Sequence, residues 1–141
     1  MKEMNRAPAE RSEVRFRVRY AETDQMGVVY HANYLVWMEM ARTELCRLRG
    51  VSYREMEQRS GLHLVVAEVR CRYLHPARYD DEIVASAWLA EAHPRMVAFA
   101  YEICRASDGA LLATGETRHL FVRDGKPAKI PGEFRPIFGL A

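Results

Sequence analysis

From Val14 the apolar and polar residues alternate, with Val14, Phe16, Val18 and Tyr20 set against Arg15, Arg17 and Arg19. A period of two puts one set on each face, so this stretch predicts a β-strand with one buried face. After a glycine-bearing loop the period changes. Tyr34, Trp37, Met38, Ala41, Leu45 and Leu48 recur three or four residues apart, and Gly50 follows as a stop. That spacing predicts a helix of about five turns beginning near His31 or Asn33. Val36 and Met40 fall off the main stripe, so the helix is apolar on more than one face and is expected to be wrapped by other structure.

A second, short helix is predicted over "SYREMEQRSG", where Ser52 and Glu55 have the spacing of a capping box. The period then returns to two. Val65, Ala67, Val69, Cys71 and Tyr73 alternate with Glu68, Arg70 and Arg72 until Pro76 breaks the run. Ile83 to Leu89, Met96 to Ile103 and Leu111 to Val122 predict three further strands, with Asp108-Gly109 and Asp124-Gly125 as turn signals. Short connections imply antiparallel neighbours. The expected architecture is therefore α+β, a five-stranded antiparallel sheet curled around one long helix. Trp88, Phe99 and Tyr101 are candidates for an apolar outer face through which two sheets would join in an oligomer.

A chain of 141 residues that is 49% apolar suits one domain with a real core. Its expected limits are residues 13–131, with 1–12 a disordered N-terminal segment and 132–141 a tail or short helix. A net charge of +2 demands neither nucleic acid nor an anionic membrane as partner. Eighteen arginines stand against three lysines, which suits either an anion-binding rim or a compositional habit of the genome. No apolar run approaches the ~18 residues of a membrane span, and the N-terminal dozen has no signal-peptide core, so a soluble cytoplasmic protein is expected. Cys46, Cys71 and Cys104 have no ligand or disulfide spacing, and His63, His75, His93 and His119 lack metal-site spacing. No metal or other cofactor is expected.

The candidate chemistry lies in "YAETDQMGVVYHANY", residues 20–34. Asp24 and Gly27 suit a simple turn, in which aspartate bonds local backbone and glycine takes a positive φ. The same carboxylate also precedes a helix start, whose first N–H groups lack intrahelical partners and can hold a developing oxyanion. A carboxylate facing such donors suits acyl transfer. Asp24 supplies no strong general acid, so the leaving group that fits is a thiolate, whose parent pKa is ~8.5.

The stretch "DQMGVVYHANYLVWMEMARTE" resembles the signature of the 4-hydroxybenzoyl-CoA thioesterase-like branch of the hotdog fold, particularly its Tol-Pal-associated acyl-CoA thioesterases. The resemblance covers about Val14 to Ile130. It implies an acyl-CoA substrate, with Asp24 as nucleophile or general base and the backbone N–H at His31 as oxyanion donor. It further implies that the His31 side chain and Tyr20 belong to the site and that Gly27 lets the loop approach the acyl carbonyl. A homo-oligomer follows from it too, a dimer or a dimer of dimers (homotetramer). Met26 departs from the small residue common in relatives and bears on the acyl pocket. Arg95 is the preferred candidate for the CoA phosphates, with Arg70, Arg72, Arg123 and Lys126 behind it.

Other readings stay open on these residues. Glu39, two turns into the helix, is a less favoured carboxylate, and Cys46 has no setting that would lower its pKa. Trp37, Met38 and Trp88 suit core at least as well as an acyl channel. The Arg15, Arg17 and Arg19 run reads as a solvated strand face or an oligomer edge. Against a thioesterase stand a hotdog dehydratase or hydratase using His31 with Asp24, and a non-catalytic acyl-CoA binding or scaffold protein.

Overall fold

The computed structural model describes residues 10–140. Strand β1 is Val14–Arg17, helix α1 Asn33–Leu48, helix α2 Tyr53–Ser60, then β2 Leu62–Tyr73, β3 Glu82–His93, β4 Met96–Arg105, β5 Leu111–Arg123 and the short β6 Lys126–Pro127. All pairings are antiparallel, in the order β1-β3-β4-β5-β2, with β6 on β5 as a sixth strand beyond the five expected. The sheet curls around α1, whose Trp37, Met38, Ala41, Leu45 and Cys46 are buried against Ile83, Ala85, Phe99, Tyr101 and Ile103. This is the hotdog architecture. No helix among the described residues is long and apolar enough to cross a membrane.

Local signals account for the helix ends. Ser52 Oγ accepts from Glu55 N at 3.1 Å while Glu55 Oε1 accepts from Ser52 N at 3.2 Å, so the capping box forms as read. The expected disordered segment, residues 1–9 of it, lies outside the described residues; within residues 10–12, Ser12 is fully buried and its Oγ donates to the Ala41 carbonyl of α1 at 2.7 Å. Beyond Pro131 a 3-10 turn, Gly132–Phe138, buries Phe134 and Phe138 in the core.

Four details depart from the pattern-based reading, each for a local reason. The first strand ends at Arg17, and Tyr20–Glu22 is a 3-10 turn that leaves Tyr20 78% exposed, because Val18 is the last residue to reach the core. Phe99 and Tyr101 are not on the outer face. They point at α1, and only Trp88 faces out, with the Arg11 guanidinium 4.9 Å above its ring. In β2 a bulge between Val66 and Glu68 shifts the alternation, so Val66 and Val69 both face the helix side while Val65 pairs with Leu120 on the outside. Finally β2 and β3 do not pair. The chain crosses from one edge toward the other through residues 74–81, passing over the start of α1, where Ala77 is buried and its carbonyl accepts from Val29 N at 2.8 Å.

A buried polar chain runs beneath this core. His119 Nε2 lies 2.8 Å from Thr117 Oγ1, which contacts the Tyr101 hydroxyl, and Arg42 donates to the hydroxyls of Tyr101 and Tyr53 at 3.0 Å each. Burial, helped by the nearby Arg42 charge, pushes the His119 imidazole down to about 3. Burial likewise pushes the Cys46 thiol up to about 11, consistent with a core cysteine.

The sign of the resulting pH dependence follows from His119. The unfolded chain takes up a proton as pH falls through ~6.5, whereas the native state stays neutral, so stability is complete above that pH and drains below it. Urea titrations at pH 6.5 and 5 are expected to differ by about 2 kcal/mol, and His119→Gln is expected to remove most of that slope.

Candidate active site

The residues of the "TDQMGVV" loop form a small hairpin. Thr23 bridges Val29, Asp24 N donates to the Val28 carbonyl at 2.8 Å, and Gly27 N donates to the Asp24 carbonyl at 2.9 Å. Gly27 has φ +83°, and a Cβ there would meet nothing within 4 Å, so glycine serves the turn conformation rather than a close approach. Asp24 Oδ1 accepts from Met26 N at 2.9 Å and from Val28 N at 3.4 Å, so the aspartate is both turn-former and oriented acid. Both hydrogen bonds use one oxygen. Among the described residues none engages Oδ2.

Helix α1 starts tightly. Asn33 N, Tyr34 N and Leu35 N donate back three residues, to the carbonyls of Tyr30, His31 and Ala32. Ala32 at the N-cap has a helical φ of −67° and no side-chain cap. Three of the usual orphan donors are thereby used, and the N–H groups of His31 and Ala32 are left without a partner among the described residues. Asp24 and His31 line one cavity of about 290 Å³, walled by Met26, Tyr34, Tyr73 and His75. The Tyr73 hydroxyl donates to the His31 carbonyl at 2.9 Å, and the His31 ring sits between those of Tyr30 and Tyr73.

The hairpin is held by a residue that periodicity did not single out. Glu22 is only 6% exposed. Its carboxylate accepts from Arg19 N at 2.8 Å and from the Trp37 indole N–H at 3.0 Å, and its carbonyl accepts from Tyr30 N and Asn33 Nδ2 at 2.9 Å each. Burial raises the pKa of this carboxyl, but the hydrogen bonds from the Arg19 backbone, Trp37 and the Arg19 side chain outweigh it and leave the group lowered. Tyr73 and His75 were also not read as site residues. They reach the cavity because the crossing after β2 passes over it, which no local pattern encodes.

The remaining candidates are dispersed in the single chain. Tyr20 lies outside the cavity, edge-on to Tyr79 at 5.4 Å. Arg70 and Arg72 line a separate concavity with Thr114 and Glu116. Arg123 pairs with Leu62, at the opposite end of β2 from Tyr73, about 36 Å away at the rise of a strand. Lys126 follows in β6, and the Arg95 carbonyl accepts from Phe121 N near that same end. Met26 is 79% exposed on the cavity rim. Glu39 faces a second groove rather than this cavity.

A curled antiparallel sheet around one helix, with a carboxylate and free amides at the helix start, is the form of a hotdog-fold protein. The family model of the Thioesterase-like superfamily matches residues 18–138, and the chain belongs to that family. YneP of Bacillus subtilis is 38% identical over 127 residues, covering 90% of this chain and 89% of the relative. The acyl-CoA thioesterase YbgC of Haemophilus influenzae is 30% identical over 122 residues, covering 86% of this chain and 90% of the relative. The crystal structure of TT1821 from Thermus thermophilus matches with a TM-score of 0.85 at 38% identity, over 91% of this chain and 95% of that one.

Removing the Glu22 carboxylate strands the indole N–H of Trp37 in the core. Glu22→Ala is expected to lose about 1–3 kcal/mol in urea unfolding at pH 7, with Glu22→Gln milder because its amide oxygen still accepts.

Proposed function

We propose that the protein is an acyl-CoA thioesterase, hydrolysing a thioester to free CoA and a carboxylic acid. The observation that carries this reading is one cavity lined by Asp24 and His31, with the N–H groups of His31 and of the adjoining Ala32 unpartnered among the described residues. The thioester carbonyl oxygen rests on those two donors, which bear the partial positive charge of a helix start and gain strength as the oxygen becomes an oxyanion. The second oxygen of Asp24 then attacks the carbonyl carbon, giving a mixed anhydride that water opens, or takes a proton from an attacking water. Either way the C–S bond breaks and CoA leaves as a thiolate, which needs little protonation. Gly27 keeps the turn that aims Asp24. The His31 ring, held beside Tyr73, orders the acyl group or water.

The working unit in this reading is a homodimer, alone or as a dimer of dimers. β2 is an edge strand whose outer backbone is unpaired among the described residues, and its Val65, Val66 and Val69 are exposed together with Leu35, Val36 and Met40 of α1. An edge of that kind invites pairing with a second copy. Antiparallel β2 pairing would bring Arg123 and Lys126 of one subunit toward the Tyr73 end of its partner, where basic side chains suit the CoA phosphates. Tyr20 and Arg95 are assigned to the completed site on the resemblance alone.

Release of CoA thiol from acetyl-, butyryl-, octanoyl-, palmitoyl- and benzoyl-CoA tests the activity. Asp24→Asn is expected to lower kcat by at least ~10²-fold, about 2.7 kcal/mol of barrier, and near-normal turnover in that variant would remove Asp24 from the mechanism. Sedimentation equilibrium is expected to give a dimer or tetramer, and Val66→Glu with Val69→Glu to shift it toward monomer.

A further inference from the structure

We infer that two copies of the chain are held in register by a reciprocal ion pair, the Glu39 carboxylate of each copy on the Arg42 guanidinium of the other, with the two α1 helices side by side and antiparallel. The inference rests on the homodimer reading above and names what fixes its geometry. It starts from a buried charge without a counter-charge. Arg42 is only 8% exposed. Its Nε donates to the Tyr53 hydroxyl and its Nη1 to the Tyr101 hydroxyl, while Nη2 and any carboxylate partner are missing from its contacts among the described residues. Burial pushes both phenols up, so these two acceptors stay neutral. A guanidinium taken out of water among neutral groups is costly, and a carboxylate brought onto its free N–H groups offsets that cost.

The complement stands one helical turn away. Glu39 is exposed and lines, together with Arg42, a groove of about 370 Å³ between α1 and β2. Within one chain the two do not meet, because the tyrosines draw Arg42 toward the sheet. In a twofold dimer residue i of one copy meets residue j of the other and j meets i. A helix face that carries an acid and a base three residues apart is therefore its own complement when its copy runs antiparallel, and acid meets base twice. Leu35, Val36, Val66 and Val69 border the pair and are exposed. Apolar residues around a charge pair exclude water from it once a second copy covers them.

Helix and strand agree on the position of the axis. Contact of residue 39 with residue 42 in both directions puts the twofold axis between Met40 and Ala41. The Tyr73 hydroxyl, 2.9 Å from the His31 carbonyl, sets the end of β2 beside the start of α1, and β2 runs back along the helix past Val69 and Val66. At 1.5 Å per helical residue the axis lies about 14 Å from His31. The same distance, at about 3.3 Å per strand residue, covers about four residues of β2 and ends near Val69. The centre of β2, Leu62–Tyr73, falls between Ala67 and Glu68. One axis thus serves both the two ion pairs and the pairing of nearly the whole edge strand with its copy. That register carries Arg123 and Lys126 toward the partner's Tyr73 end.

Glu39→Gln keeps the size of an exposed side chain and removes its charge, so the circular dichroism of the variant is expected to match the native chain. Its dimer dissociation constant in sedimentation equilibrium is expected to rise at least ~30-fold, since two pairs are lost per dimer, and that of Glu39→Arg to rise further. Met40→Cys, beside the axis, is expected to give a disulfide-linked dimer on mild oxidation, a product that the native cysteines do not form. A shift below ~30-fold in Glu39→Gln overturns the ion pair, whatever the cross-linking shows. A Met40→Cys chain that dimerises without cross-linking overturns the register. A native chain that stays monomeric at every concentration overturns the homodimer reading and this inference with it, while release of CoA thiol judges the thioesterase reading separately.

Discussion

The site depends on one interaction, the anchoring of a seven-residue hairpin to the first turns of α1 through Glu22. A hairpin of this size has no stability of its own in water. Glu22 supplies acceptors in two directions, its carboxylate to Trp37 in the core and its carbonyl to Tyr30 and Asn33 at the helix start. Asp24 stands two residues from that anchor and His31 nine, so the acid and the amide donors share one rigid reference. An ionised carboxylate is an expensive group to bury, and here its three hydrogen bonds from N–H donors offset the desolvation.

The second constraint is topological. Because β2 pairs with β5 at one edge and β3 lies two strands away, the segment between them has to cross the end of the sheet. It crosses at the start of α1 and brings Tyr73, Leu74, His75 and Pro76 over the hairpin. The same order leaves β2 without a strand neighbour on its outer side among the described residues. The wrapping of α1 therefore stops short, and the helix side toward β2 keeps Leu35, Val36 and Met40 open. Closed core and open edge are two outcomes of one strand order.

How much of this the chain announces depends on range. Period and punctuation are local properties, and α1, α2, β3, β4 and β5 form where Trp37, Ser52, Ile83, Phe99 and Leu111 indicated, as does the turn with Asp24 and Gly27. The bulge at Val66 is invisible because two adjacent valines satisfy either phase of a strand. Phe99 and Tyr101 were misplaced to the outer face since β4 carries apolar residues on both faces, Val97, Ala98 and Phe99 being buried in succession. Glu22 was missed because a lone glutamate before a turn looks solvated; only its distance to Trp37, 15 residues on, reveals it. His75 and Tyr73 required the crossing, which is set by pairing between residues 40 or more apart.

Helix α1 links these parts into one rigid unit. Its buried side is fixed by the sheet through Trp37, Ala41 and Leu45, so its first turn cannot move relative to the core. The unpartnered N–H groups of His31 and Ala32 directly precede that fixed turn, and Glu22 ties the hairpin carrying Asp24 to Trp37 on the same helix. Carboxylate and amides therefore keep their relation without any flexible element between them, as a preorganised site requires.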